Sequence, residues 1–268
     1  MQGEGEAMAA VRWAQPDGGG AKRRLRAVIA SALPSIAARR RTAHERRFFA
    51  SLMPATGLAF DVGACQGRFT QRLLERGRVV ALEPDPTLAA SLSARLGGHP
   101  GLCVVAAAVG AGDGEAELSR SVHPANGTLS PQFRLAFEAE GGLAGAGGVV
   151  YRERVPVRLV TLETLIATYG LPDYVKIDVE GFEAEVLAGL QSPVAALSFE
   201  VNAPLVEVAQ AALSRLGALA GYECAFSPWE ELSPRLPYLD PAALSARLPD
   251  LCRRGAALTG DVICRRRS

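Results

Sequence analysis

The sequence predicts an α/β fold: a Rossmann-like, doubly wound, mostly parallel seven-stranded sheet with an antiparallel closing hairpin. Three observations lead there. From residue 58 onward, short apolar runs alternate with helical patterns, which is how repeated βα units read. The first run ends in a glycine-bearing turn, Asp61-Val62-Gly63-Ala64-Cys65-Gln66-Gly67. Two late apolar runs flank a proline-studded stretch, as an edge hairpin with an insertion would.

In chain order, residues 1–20 mix small and polar side chains without periodicity and are expected to form a flexible tail. Residues 21–53 place Leu25, Val28, Ile29, Leu33 and Ile36 at helical spacing among arginine clusters, which predicts a basic helical segment broken near Pro34. Its basic face suits either contact with an acidic partner, carrier or membrane surface or, as charge runs more often do, plain solvation over a helical cap on the sheet. The domain proper is expected over 54–268. Its strands are predicted at Leu58 to Val62, Val79 to Leu82, Leu102 to Val109, Tyr174 to Ile177 and Val194 to Val201, with helices near 68–76, 87–96, 161–169, 182–190 and 204–219. These make five successive βα units. Tyr222 to Phe226 and Ala257 to Cys264 supply the closing hairpin, while residues 122–150 read as a long irregular loop, a lid or a binding segment.

Composition narrows the class. With 49% hydrophobic and 21% charged residues the chain is globular, and a formal net charge of +1 offers no global attraction to nucleic acid, so no nucleic-acid partner is expected. No window approaches the roughly 18 apolar residues of a membrane span and no secretion signal opens the chain, so a cytoplasmic location is expected. Five scattered cysteines, Cys65, Cys103, Cys224, Cys252 and Cys264, form no C-x-x-C pair and are expected to be free thiols. Oligomeric state is not legible.

The chemistry concentrates at strand ends. Gly63 and Gly67 permit a tight turn and close approach of a ligand to the backbone. Asp61 opens that turn with a carboxylate, which repels phosphate and can attract the ammonium of a methionine moiety, favouring S-adenosylmethionine over NAD. Glu83 closes the second strand, in Leu82-Glu83-Pro84, where an acid can accept bonds from both ribose hydroxyls. Asp178 and Glu180 follow the fourth strand. Two close carboxylates can raise one pKa and supply a general base, or bind a divalent metal, or Glu180 can simply cap the next helix. We expect Asp178 to be the base and assign no metal. His123, in the loop after the third unit, is a weaker catalytic candidate. Glu200 and Asn202 end the fifth strand where an acceptor would lie, and Trp229 with Tyr238 could wall it.

The stretch Phe60 to Thr70, Glu83, and above all the block Gly170-Leu171-Pro172-Asp173-Tyr174-Val175-Lys176-Ile177-Asp178-Val179-Glu180-Gly181-Phe182-Glu183 resemble the FkbM family of class I methyltransferases over residues 58–202. Two positions depart from the family pattern: Cys65 stands where asparagine is usual, and Glu163 where aspartate is. The resemblance implies S-adenosyl-L-methionine as cofactor, held by Asp61, Gly63, Ala64, Cys65, Gly67, Glu83, Pro84, Ala108 and Asp178. It also implies methyl transfer to oxygen, commonly a hydroxyl of a natural product or sugar. A small-molecule or glycan hydroxyl acceptor is therefore the expected partner. The alternatives are a non-catalytic cofactor-binding module and an NAD-dependent oxidoreductase on a similar sheet.

Overall fold

The computed structural model describes residues 36–138, 148–219, 221–228, 232, 234, 237–254 and 259–267. The expected tail, the Pro34 break, Trp229 and most of the glycine-rich run before Gly148 lie outside them. Helix α1 (Ile36–Leu52) precedes strand β1 (Gly57–Val62), α2 (Arg68–Leu74), β2 (Gly77–Leu82), α3 (Pro86–Leu96), β3 (Leu102–Val105), β4 (Ala108–Val109) and β5 (Gly114–Ser121). Then come α4 (Pro131–Glu138), β6 (Tyr151–Val160), α5 (Leu162–Tyr169), β7 (Tyr174–Ile177), α6 (Glu183–Ala188), β8 (Ala196–Asn202), α7 (Val206–Leu219), β9 (Tyr222–Pro228), α8 (Pro241–Arg254) and β10 (Thr259–Arg266).

The main sheet has seven strands in the order β3-β2-β1-β7-β8-β10-β9. Strands β1, β2, β3, β7 and β8 pair in parallel, and β10 runs antiparallel to both β8 and β9, so the expected closing hairpin is present. Alternation along each strand sends side chains to two faces. On one face Ala59, Val79, Ala81, Tyr174 and Ile263 pack against Phe48, Phe49, Leu73 and Leu92 from the first helices. On the other, Phe60, Val62, Leu82, Val175, Ile177 and Phe199 pack against Leu162, Leu187, Leu213 and Leu244. The order in which strands are added reverses between the parallel neighbours β1 and β7, and the carboxyl ends of these strands form the crevice where ligands of such sheets bind.

Helix α1 is bound to this body. Phe48, Phe49 and Met53 are buried, and Glu45, 3% exposed, accepts from Arg68 at 2.8 Å and Arg72 at 3.0 Å. Arg46 and Arg47 remain outward. The described part of the basic segment is thus a cap on the sheet with a solvated face.

Three expectations need correction. The run Leu102 to Val109 is not one strand: it splits, and Ala108–Val109 joins a second, three-stranded sheet of order β4-β6-β5. Arg120, Glu117 and Glu153 give β5 and β6 a polar, mostly exposed alternation that an apolar-run criterion passes over. Helix α5 therefore follows β6 rather than a third unit's strand. The loop predicted over 122–150 is partly ordered, since Phe133 and Phe137 stack at 4.1 Å on α4 and bury a small cluster with Val149 and Leu205. Finally, Cys224 and Cys264 are not free: they face each other across β9 and β10 and form a disulfide, while Cys65, Cys103 and Cys252 are free. A cross-strand pair 40 residues apart in sequence leaves no local spacing signal.

Candidate active site

A cleft, partly open to solvent, lies over the carboxyl ends of β1, β2 and β7. One wall comes from the main sheet: Val62, Gly63 and Cys65 from the first turn, Glu83, Pro84 and Asp85 after β2, and Asp178, Val179 and Glu180 after β7. The opposite wall comes from the three-stranded sheet and its turn, through Leu118, Arg120, Pro124, Gly127 and Leu129, with Ala107, Ala108 and Val109 between the two.

The first turn is shaped by close backbone approach. A Cβ on Gly63 would lie 1.8 Å from the Asp178 carbonyl oxygen, so only glycine lets β1 and β7 meet there. Gly67 adopts φ 73 and a Cβ on it would meet Leu92 of α3 at 2.4 Å. Cys65 also has a left-handed backbone, φ 46, a region Asn tolerates better than other side chains. That explains the asparagine usual at this position and locates the departure in backbone strain. Its thiol is pushed up to about 11 by burial, with the Glu83 charge adding. At the second departure Glu163 reaches from α5 to accept from Gln191 N, Ser192 N and Ser192 Oγ, at 3.1, 2.9 and 2.6 Å.

Glu83, 5% exposed, uses both carboxylate oxygens on backbone: Oε2 accepts from Cys65 N at 2.7 Å and Oε1 from Asp85 N at 2.8 Å. Each oxygen keeps a second acceptor site for the cleft. Burial raises this carboxyl to about 7, against the two backbone N–H bonds that lower it.

Asp61 lies beneath the turn, outside the cleft wall. It is 1% exposed; Oδ2 accepts from Thr70 Oγ1 at 2.5 Å and Oδ1 is buried without a partner. Burial raises its pKa, with Lys176 opposing. Ala64 and Gly67 also face the protein interior, so of the cofactor residues expected from sequence the cleft gathers Gly63, Cys65, Glu83, Pro84, Ala108 and Asp178. His123 is exposed and outside the wall, although Pro124 and Ala125 beside it line the cleft.

Lys176, 4% exposed, donates to Asp178 Oδ2 at 2.5 Å and lies 4.4 Å from the Phe69 ring centroid. Burial pulls its pKa down, but Asp178, Asp61 and Asp261 outweigh that and hold the ammonium above its ordinary value. Beyond Asp178, carboxylate oxygens of Asp178, Glu180 and Glu200 converge within 4.8 Å of one another, and Asn202 Nδ2 donates to Glu200 Oε2 at 3.1 Å. Such a trio occurs commonly without an ion, and we assign it none. Burial, then the neighbouring charges, raises Glu180 and Glu200 well above the carboxylate range.

Glu180 does not follow from strand alternation, because β7 ends at Ile177 and Glu180 takes φ 55. A left-handed non-glycine residue costs about 1–3 kcal/mol. It is held by Thr128 Oγ1, which donates to its carbonyl at 2.7 Å. Nor does Glu180 cap the next helix: Glu183 Oε1 accepts from Val179 N and Gly181 N, both at 3.2 Å. Lys176, Asp85, Arg120 and Thr128 were not anticipated as site residues. Lys176 lies inside the Gly170–Glu183 block; Arg120 belongs to the sheet that periodicity missed, and Thr128 lies in the segment after it, bridged to Ser119 of β5.

The sequence matches the model of the methyltransferase FkbM domain over residues 61–224, and the chain belongs to that family of S-adenosylmethionine-dependent methyltransferases. No curated protein sequence matches it. Among solved structures it is similar to an O-methyltransferase from Bacillus cereus in complex with S-adenosylhomocysteine (11% identity, 92% of this chain, 90% of that one, TM-score 0.45). It is also similar to precorrin-6y C5,15-methyltransferase from Geobacter metallireducens (14%, 89% and 94%, TM-score 0.42) and an rRNA methylase from Streptococcus thermophilus (10%, 89% and 100%, TM-score 0.42). At such values these likenesses say nothing about the acceptor. No helix among the described residues is long and apolar enough to cross a membrane.

Proposed function

We propose that the chain transfers the methyl group of S-adenosylmethionine to a hydroxyl oxygen of a small-molecule or glycan acceptor, with Asp178 as general base. The observation that carries this reading is the position of Asp178, between the cleft beside Gly63 and the polar rim of Glu200 and Asn202, with Lys176 engaging only Oδ2.

The cleft fits the cofactor. Ala107, Ala108, Val109, Leu118 and Leu129 make an apolar slot suited to adenine, beside the free acceptor sites of Glu83, suited to ribose hydroxyls. Gly63 leaves the turn open where the methionine part would pass, and buried Asp61 would act on it from beneath the turn. Bound there, S-adenosylmethionine would supply an electrophilic methyl group, its sulfonium becoming a neutral thioether on transfer. Asp178 Oδ1 accepts the hydroxyl proton as the acceptor oxygen forms its bond to the methyl carbon. Lys176 holds the carboxylate in place for that transfer, and Glu200 and Asn202 orient the hydroxyl. Alignment of the two reacting atoms supplies most of the acceleration.

The test begins with calorimetric titration of S-adenosylhomocysteine into the protein and its Asp61→Ala and Glu83→Ala variants, with NAD as control. Hydroxylated acceptors, amines and rRNA fragments are then screened for methyl transfer. Micromolar binding weakened in both variants, with transfer to a hydroxyl lost in Asp178→Asn, supports the reading. Binding of NAD instead, transfer to nitrogen or RNA, or full turnover by Asp178→Asn overturns it.

A further inference from the structure

We propose that Arg120 is a positioning residue for the cofactor cleft: from the three-stranded sheet it fixes the Glu83 carboxylate through Asp85. The inference rests on the reading above, in which Glu83 meets the cofactor's ribose.

Arg120 sits on β5 and lines the cleft opposite Gly63. Its guanidinium forks onto Asp85, Nε to Oδ2 at 2.6 Å and Nη2 to Oδ1 at 2.7 Å. Nη2 also donates to Thr87 Oγ1 at 2.7 Å and Nη1 to Glu153 Oε1 at 2.6 Å. Asp85 is itself anchored, since its Oδ1 accepts from Thr87 N and Leu88 N at the start of α3. The backbone N–H of Asp85 then donates to Glu83 Oε1, and Glu83 Oε2 takes the N–H of Cys65. One unbroken chain of hydrogen bonds thus runs from the three-stranded sheet, through the residue two past Glu83, into the glycine turn.

A surface ion pair would contribute little. This pair differs in geometry and setting: it is bidentate, which fixes orientation as well as distance, and the Arg120 and Asp85 side chains are 25% and 13% exposed. Leu118, two residues before Arg120 on β5, and Leu129 line the far wall of the apolar slot. A lysine cannot reproduce it, having one point donor where the site uses a planar fork. With nearly all its N–H groups committed, Arg120 has little left to offer a phosphate, in keeping with a phosphate-free cofactor.

The experiment is calorimetric titration of S-adenosylhomocysteine into the full chain and into Arg120→Lys, Arg120→Gln, Glu153→Ala, Glu83→Gln and the Arg120→Gln/Glu83→Gln double variant, each checked for native circular dichroism. Arg120→Gln and Arg120→Lys are expected to weaken binding about tenfold, and Glu153→Ala to leave it within about twofold. Because Arg120 acts through Glu83, its substitution in the Glu83→Gln background should cost less than about twofold more, a non-additivity that a merely structural contribution would not produce. Wild-type binding with unchanged affinity in Arg120→Gln, rescue by Arg120→Lys, or effects that multiply in the double variant overturns the role of Arg120 alone. Failure of the wild type to bind overturns the reading of the cleft, and this inference with it.

Discussion

Glu83→Gln should change how stability depends on pH. The Glu83 carboxyl is raised from an ordinary 4.5 to about 7, first by burial. The folded state therefore holds the proton more tightly than the unfolded one. Stability is undiminished below pH 4.5 and is lost as pH rises toward 7, the reverse of a salt-bridged acid. At about 1.4 kcal/mol per unit, the full displacement corresponds to about 3 kcal/mol above pH 8, of which about 2.5 kcal/mol develops between pH 5 and pH 8. Gln removes the titration but presents one acceptor and one amine to the two N–H groups of Cys65 and Asp85, leaving one donor unpaired at about 1–3 kcal/mol whatever the pH. The absolute ranking of the two proteins is thus close, while the slope is decisive. In urea titrations followed by circular dichroism, the variant should gain on the wild type by about 2.5 kcal/mol from pH 5 to pH 8. Glu183 and Asp261, raised to about 7 and about 6 by burial, act with the same sign in both proteins and cancel in the difference. A gap that changes by less than about 0.5 kcal/mol would show that Glu83 is ionised throughout and refute the argument.

Four further outcomes follow from the same geometry. If ribose hydroxyls bond to ionised Glu83, whose carboxyl is raised to about 7, affinity for S-adenosylhomocysteine should rise about tenfold from pH 6 to pH 8 as the ionised fraction grows, measured by calorimetry; a flat profile contradicts this. Cys65→Asn should raise the melting temperature by about 2–4 °C, because it relieves about 1 kcal/mol of left-handed strain; a lower value would mean that thiol packing outweighs the backbone. Gly63→Ala should cost about 3 kcal/mol or more, given a Cβ on the Asp178 carbonyl, and any folded product should not bind cofactor. Reducing the Cys224–Cys264 bond should lower stability by about 4 kcal/mol for a loop of 40 residues, and alkylation under denaturing, non-reducing conditions should label only Cys65, Cys103 and Cys252.

The parts of this fold that were legible share a local cause. Buried parallel strands are continuous apolar runs, so β1, β2, β7 and β8 were found nearly to the residue. The Gly63 turn and Glu83 were legible as cleft-lining positions because ligands of open α/β sheets bind at strand ends by a switch point. What stayed hidden depends on partners distant in sequence. Strands β5 and β6 are half-exposed and polar, and only their pairing with each other and with Ala108–Val109 makes them a sheet. The disulfide follows from a strand register that pairs residues 40 apart in sequence. The acid Asp61 at the turn was legible, but its depth was not, because alternation along β1 turns it toward Thr70 and Lys176.

The three-stranded sheet is the part of the molecule that alternation and composition least anticipated, and it touches both halves of the site. At one end Arg120 reaches Asp85 and, through it, the carboxylate of Glu83. At the other, Thr128, bridged to Ser119 of β5 from the segment that follows, holds the strained carbonyl of Glu180 beside the acid-lined rim. Between these points the main sheet is already interlocked, since the Gly63 turn and the Asp178 backbone approach too closely for a side chain. The cofactor turn and the proposed base are thereby one rigid unit. At the rim, Glu200 and Asn202 stand at the end of β8 in the main sheet, whereas Glu180 is set by loop backbone held from Thr128 and is the member freest to differ among acceptors. Such a division lets one cofactor site serve a reaction whose acceptor is chosen elsewhere.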